Sequence, residues 1–266
     1  VDEAAFIDLL RGAADGDLAR GLADDVAVIG DLVFTHDMMV EGTHFLPNAD
    51  PADVAWKLVG TNLSDLAAKG ARPLGVLLGF MLGDDEWDRG FAAGLIAALS
   101  HYETALWGGD TVAAPPGRPA VRALGLTAIG RADYVPIPAR SGARAGDHLW
   151  VTGMLGLAAA GFAHDAEGAV ASAEAIARFR RPAPRLAEGA ALAPQVTAMM
   201  DISDGLLLDA TRMAQASAVT IALDRAAIPI AADLTDAEKA KALSWGDDYE
   251  LLFTLPAAIN PAAEAI

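Results

Sequence analysis

The chain contains no cysteine. That removes a disulfide frame, a thiolate metal site and a cysteine nucleophile, and it is compatible with a reducing, cytoplasmic setting. Cations are scarce as well: 19 Lys and Arg stand against 36 Asp and Glu, a net charge of −17. Nucleic acid and anionic membrane surfaces are therefore poor partners. Long apolar runs are missing. The stretch from Gly75 to Gly83 falls well short of a membrane span, and the acidic start has no signal-peptide pattern, so a soluble protein is expected. The five histidines form no His-x-x-x-His or His-Glu pair, which argues against zinc. Also absent are the Gly-x-x-x-x-Gly-Lys-Ser/Thr loop, a kinase-type Gly-rich loop and a His-Arg-Asp loop. Nucleotide chemistry, if any, must be built from other parts.

What is present is a core-forming chain, 53% hydrophobic over 266 residues, long enough for two ordinary domains. Pro136-Ile137-Pro138 followed by Arg140-Ser141-Gly142 has linker chemistry. It places a boundary between about 134 and 146, dividing residues 1–138 from 139–266. Helical spacing behind Asp2 predicts an amphipathic first helix through Phe6, Leu9 and Leu10, and Gly30-Asp31 between two β-rich runs predicts a hairpin, with a loop from His36 to Pro47. Asp50-Pro51 starts a helix running to Gly70, followed by a strand over Leu74–Leu82 and a helix from Trp87 to Glu103. Thr104–Trp107 reads as a strand cut by Gly108-Gly109-Asp110, and Val121–Gly130 as another, after a loop at Ala113–Gly117. Beyond the linker, strands are expected at His148–Thr152, Val196–Ile202, Val219–Leu223 and Tyr249–Leu255, with helices between them. Alternating helices and strands make both halves α/β layer structures.

The chemistry gathers where these elements end. Met200-Asp201-Ile202-Ser203-Asp204-Gly205 reads as a strand running into a tight turn that opens a helix, which aims carboxylates, a hydroxyl and free N–H groups at one spot. The device recurs at Asp24-Asp25, Thr35-His36-Asp37, Asn62-Leu63-Ser64-Asp65, Gly108-Gly109-Asp110-Thr111 and Gly246-Asp247-Asp248. Each one alone is an ordinary turn or cap; together they suggest one convergent cluster. Oxygen-only ligands favour Mg²⁺ or a similar hard cation. An acidic protein meets phosphates only through such an ion, because a carboxylate and a phosphate oxygen about 4 Å apart repel by about 1 kcal/mol even at the dielectric of water. Phosphoryl transfer is then the natural reaction class. His44, near Asp37, and Arg140, at the linker, are candidates for phosphate contacts, whereas Arg178, Arg180, Arg181 and Arg185 read as a solvated helix end.

The ordered set resembles the thiamine-monophosphate kinase family of the aminoimidazole ribonucleotide synthetase-like superfamily. Carrying the likeness are Asp24-Asp25, Thr35-His36-Asp37, Val40-Glu41-Gly42-Thr43-His44-Phe45, Asn62-Leu63-Ser64-Asp65, Gly108-Gly109-Asp110-Thr111, Arg140-Ser141-Gly142, Asp201-Ile202-Ser203-Asp204-Gly205 and Gly246-Asp247-Asp248-Tyr249-Glu250. The resemblance implies two α/β domains, a homodimer paired through the N-terminal sheet, and in-line transfer of the ATP γ-phosphoryl group to thiamine monophosphate, giving thiamine diphosphate. It implies several Mg²⁺ ions at Asp25, Thr35, His36, Asp37, Asp65, Asp110, Asp201 and Asp204. ATP would meet Tyr102, Gly109, Asp110, Arg140 and Ser203, and thiamine monophosphate would meet His44 and Asp247. Three positions depart from the family pattern: His36 stands where Thr is frequent, Asp247 replaces a Glu, and Ala23 replaces a Gly. The chain stops at Ile266, short of the family's C-terminal segment, which supplies an aromatic residue that packs on thiamine. Another ATP-using synthetase of the superfamily and a non-catalytic, metal-dependent nucleotide-binding regulator are the competing expectations. A selenophosphate synthetase would need a cysteine or selenocysteine near the N-terminus.

Overall fold

The computed structural model describes residues 2–14, 16–113, 121–232 and 234–261. In the first half, β1 (Ala27–Ile29), β2 (Leu32–Val40), β3 (Ala71–Leu82), β4 (Ala105–Ala113) and β5 (Ala123–Ala132) form one sheet in the order β1-β2-β5-β3-β4. The β3–β4 pair is parallel, and the β1–β2, β2–β5 and β3–β5 pairs are antiparallel. In the second half β8 (Leu251–Pro256) lies antiparallel between β6 (Asp147–Val151) and β7 (Ala198–Asp201). No helix among the described residues is long and apolar enough to cross a membrane.

The first helix, α1 (Glu3–Leu10), starts at the expected Asp2 cap, whose carboxylate accepts from the Ala5 N–H at 2.9 Å. Its apolar side chains are not buried, however: Phe6 and Leu9 are 56% and 73% exposed. The helix that organises the molecule is α2 (Pro51–Ala67). Asp50 caps it, Pro51 opens it, and from Val54 onward nearly every side chain is buried. A helix hidden on all sides needs apolar neighbours all round. On one side Leu58, Leu63 and Leu66 pack with Val33, Val76, Leu124 and Leu126 of the five-stranded sheet. On another, Ala67 and Ala68 join Met199, Phe253 and Leu255 of the second sheet and Leu192 of α6 (Leu186–Leu192). That approach is close: a Cβ on Gly189 would lie 2.0 Å from the Ala67 carbonyl oxygen, so only glycine fits there. Any polar side chain near the end of α2 is thereby enclosed between the two halves.

Three expected boundaries shift. β2 continues to Val40 instead of giving way to a loop at His36, because an unbroken register from Leu32↔Arg131 to Val40↔Ala123 holds its polar residues in the ladder. β4 is not cut by its glycines. Past a one-residue register shift at Trp107, Gly108 and Gly109 pair with Leu77 and Leu78 of β3 at φ 153 and 148, and a Cβ on Gly109 would lie 1.9 Å from the Leu78 oxygen. Residues 219–223 form no strand: Val219, Ile221 and Leu223 pack on the second core, but their backbone pairs with no strand among the described residues. Residues 114–117 of the expected loop lie outside the described residues. The remaining helices are α3 (Asp85–His101), α4 (Leu157–Glu167), α5 (Ala173–Arg180), α7 (Leu206–Ser217) and α8 (Asp236–Lys241).

Candidate active site

Every fourth residue of α2 from Lys57, namely Lys57, Thr61 and Asp65, faces a cleft between the two halves. Asp65 takes a hydrogen bond from the buried Thr35 hydroxyl on β2. Two residues on, the Asp37 N–H donates to the side-chain oxygen of Asn62 at 3.1 Å, which fixes β2 against the same helix. Asp201, the last residue of β7, enters from the other half and accepts from the Ser64 hydroxyl at 2.6 Å. Asp25 completes the group, with a carboxylate oxygen of each of Asp25, Asp65 and Asp201 inside a 4.8 Å radius of the others.

Such crowding is costly. Two full charges at that separation repel by about 3–4 kcal/mol at an effective dielectric of about 20, so protons are retained. Burial, the Asp25 charge and the other neighbouring carboxylates outweigh the Ser64 hydrogen bond and push Asp201 up to about 8. Burial, with Asp25 and Asp204, likewise pushes Asp37 up to about 6. For Asp65, burial with Asp37 and Asp201 raises the carboxyl well above its usual range. Asp25 Oδ2 is buried and has no hydrogen-bond partner. Asp65 and Asp201 have no cationic side chain beside them among the described residues, and Asp25 leaves one oxygen without a partner, so the set suits a hard divalent cation.

The outer members meet arginines. Arg140 pairs with Asp25, and Arg212 with Asp204. Asp204 and Ser203 occupy the turn between β7 and α7, and Gly246-Asp247 is pressed onto that turn. The Asp247 N–H donates to the Ser203 oxygen at 2.9 Å, and a Cβ on Gly246 would lie 2.0 Å from the same atom. Asp247 and Tyr249 take positive φ there, 65 and 50, a strained backbone of the kind found at functional sites. Asp247 accepts from Lys57 Nζ at 2.7 Å and from the Tyr249 hydroxyl at 3.0 Å.

Residues 23–132 match the AIR synthase related protein N-terminal domain, and 144–258 match the corresponding C-terminal domain. The chain is 38% identical to a thiamine-monophosphate kinase of Salmonella typhimurium, over 90% of this chain and 77% of that one. It is 34% identical to the thiamine-monophosphate kinase of Halobacterium salinarum, over 100% of this chain and 88% of that one. The chain belongs to the thiamine-monophosphate kinase family. Its fold superposes on a structure described as AaThiL complexed with AMPPCP and TMP with a TM-score of 0.86 at 29% identity, covering 97% of this chain and 87% of that one.

Within this kinase family frame, the residues singled out from the sequence fall into two sets. Asp25, His36, Asp37, Asp65, Asp201 and Asp204 line one cavity of ≈ 560 Å³, together with Ser203, His44 and Asp247. Thr35 stands behind Asp65, and Arg140 borders the adjoining cavity of ≈ 730 Å³. The His36 ring is exposed and hydrogen-bonded to Thr127 at 2.9 Å, while Thr35 and Asp37, its neighbours on β2, alternate to the other face. Gly109, Asp110 and Tyr102 are not brought to the aspartates. Gly109 and Asp110 are exposed on β4, three strands from β2, and Tyr102 packs against Trp56 at the end of α3.

Several participants escaped the sequence reading. Thr61 and Lys57 carried a signal, the four-residue spacing to Asp65 along α2. Lys69 carried none, yet it is fully buried and pairs with Asp24 at 2.6 Å. The arginines read as a solvated helix end are largely engaged: Arg185 and Arg178 pair with the buried Glu250, Arg180 with Asp165 and Arg181 with Asp53.

Proposed function

We propose that the chain phosphorylates thiamine monophosphate to thiamine diphosphate by direct in-line transfer of the ATP γ-phosphoryl group, with Mg²⁺ seated on the aspartate cluster. The carrying observation is the meeting of half-buried Asp25 with buried Asp65 and Asp201 inside 4.8 Å, in a chain of this kinase family. Divalent ions bound there supply charge neutralisation between a donor and an acceptor that are both anionic. The protein's own part is placement. Thr35, Ser64 and Asn62 fix the carboxylate-bearing elements, and the enclosure of α2 keeps bulk water away from them. His36 would contribute only its main-chain carbonyl, since its ring is bonded to Thr127. The acceptor phosphate is already ionised at neutral pH, so no general base is required.

The cavity of ≈ 730 Å³, bordered by Arg140, Ser203 and Asp204, suits the nucleotide; the relative described as AaThiL holds AMPPCP and TMP. A neighbouring cavity of ≈ 380 Å³, bordered by His44, Asp53, Lys57 and Phe179, suits the cationic heteroaromatic end of the acceptor, with acid and aromatic groups to receive it. Asp247, although one methylene shorter than the usual Glu, borders the cleft already fixed by Lys57 and Tyr249. Asp110 lies about 14 Å from Asp37 at about 4.8 Å per strand, so it and Gly109 would serve a different ion, with Tyr102 beyond them.

We also assign a domain boundary near 138/139, between β5 and β6, a cytoplasmic location, and a homodimer. The exposed apolar residues of the β3–β4 edge, Leu77, Leu106, Trp107 and Val112, support the dimer. A monomer mass by light scattering at micromolar concentration would remove it. The activity is tested by incubating the protein with Mg²⁺, ATP and thiamine monophosphate. Thiamine diphosphate is the expected product, whereas ATP binding without it would favour the nucleotide-binding regulator.

A further inference from the structure

Arg212 lies on the second turn of α7 and borders the nucleotide cavity. Its Nη1 donates to two carboxylates, that of Asp204 and, at 3.0 Å, that of Asp209. Those two acids differ in kind. Asp209 is fully buried and doubly engaged, since it also accepts from the Asp204 N–H at 3.0 Å; Asp204 is 51% exposed, and Arg212 is its one side-chain partner among the described residues. Nε and Nη2 of Arg212 make no hydrogen bond among the described residues, and the side chain borders the ≈ 730 Å³ cavity beside Ser203, Asp25 and Arg140. Across that cavity Arg140 repeats the pattern: it covers Asp25, while its own Nε is buried with no partner.

We propose that Arg212 is a polyphosphate ligand held in reserve. Without a cation its guanidinium neutralises Asp204. Once a divalent ion takes that carboxylate, Arg212 stays tethered to Asp209 and presents its free N–H groups to the phosphates of the nucleotide. The inference rests on the reading of Asp204 as a metal residue. Its physical basis is charge balance. A divalent ion on Asp204 supplies the charge that Arg212 otherwise supplies and repels the guanidinium, which loosens its hold on that carboxylate, and a guanidinium released beside an anion forms strong, directional hydrogen bonds. Asp209 confines the motion, because its other contact is a main-chain N–H that does not move with the side chain. The same exchange makes cation and nucleotide cooperative: the ion vacates the arginine, and the phosphate occupies it.

The test compares wild type with Arg212→Gln and Arg212→Lys, measuring two affinities on each protein. One is for Mg²⁺ alone, read from the rise of the melting temperature with ion concentration; the other is for a non-hydrolysable ATP analogue with saturating Mg²⁺, read by calorimetry. In Arg212→Gln the analogue should bind about tenfold or more weakly, while Mg²⁺ alone binds at least as well as to wild type because Asp204 is no longer occupied. Arg212→Lys keeps a charge beside Asp209, guards the fold, and should fall between the two. Opposite movement of the two affinities is what a merely structural arginine would not produce. Analogue affinity in Arg212→Gln within about twofold of wild type, or parallel weakening of both ligands with a lowered melting temperature in Arg212→Lys as well, overturns the proposal. If wild type itself binds no Mg²⁺-dependent nucleotide, the kinase reading fails instead.

Discussion

Two sets of buried carboxylates lie side by side in this molecule and behave in opposite ways. Asp24 and Asp25 are adjacent in sequence, yet Asp24 sits in a finished network. It accepts from Lys69 at 2.6 Å, Arg20 at 2.7 Å, the Asp25 N–H at 2.9 Å and the Arg140 N–H at 3.3 Å. Burial alone would raise its carboxyl, but Lys69 and Arg20 hold it well below the ordinary carboxylate range. Asp65 and Asp201, as deeply buried, have only hydroxyl partners and are pushed upward. The same side chain at the same depth is thus structural where the protein supplies its counterion. Where the protein withholds the counterion, the site is completed by an added cation.

The contrast is broken most severely at the second set. Asp65→Asn and Asp201→Asn should each lower turnover by about a thousandfold, while the ion-free fold stays within roughly 1 kcal/mol of wild type or gains stability, since a repelling acid is gone. Steady-state rates and urea unfolding check both halves of that statement; unchanged activity in both variants would remove the metal assignment. Lys69→Met attacks the first set. It leaves a buried carboxylate with one cation fewer and should cost about 3–5 kcal/mol in urea unfolding, with activity lost only as the fold is lost.

A smaller effect separates the sets by pH. Folded Asp37 and Asp201 hold protons that the unfolded chain has released, so stability of the ion-free protein falls as pH rises from about 4, through about 6 for Asp37, to about 8 for Asp201. Asp24 acts with the other sign: its contribution is present above its unfolded value and is lost as acid protonates it below that. Melting curves should therefore show highest ion-free stability in mild acid, and Mg²⁺ should raise the melting temperature more at pH 8 than at pH 5. The smallest expected change is at the acceptor end. Asp247→Glu restores the usual length beside Lys57 and Tyr249 and should shift KM for thiamine monophosphate by about threefold with little change in kcat.

Much of this was legible beforehand, for identifiable reasons. Asp50-Pro51 announced α2, and apolar runs ending in Asp-x-x-Asp-Gly announced the β7–α7 turn, because caps and strand ends are local chemistry. The counterions were not legible. Lys69 stands in an Ala-Ala-Lys-Gly-Ala run whose composition does not reveal that Asp24, 45 residues earlier, closes on it. β4 defied its glycines for a related reason: a strand that needs glycine to approach Leu78 looks, in sequence, like a strand that stops. Residues 219–223 show the reverse, since alternation recorded packing on the core without a neighbouring strand to pair with.

The central claim, that the unpaired aspartates await a cation, is tested most directly by proton release. Calorimetric titration of Mg²⁺ near pH 7 in two buffers of different ionisation heat should show protons expelled on binding, because Asp201 is largely protonated there. Asp201→Asn should bind more weakly and release fewer. Mg²⁺ binding that expels no protons in wild type, or that is identical in Asp201→Asn, would contradict the account.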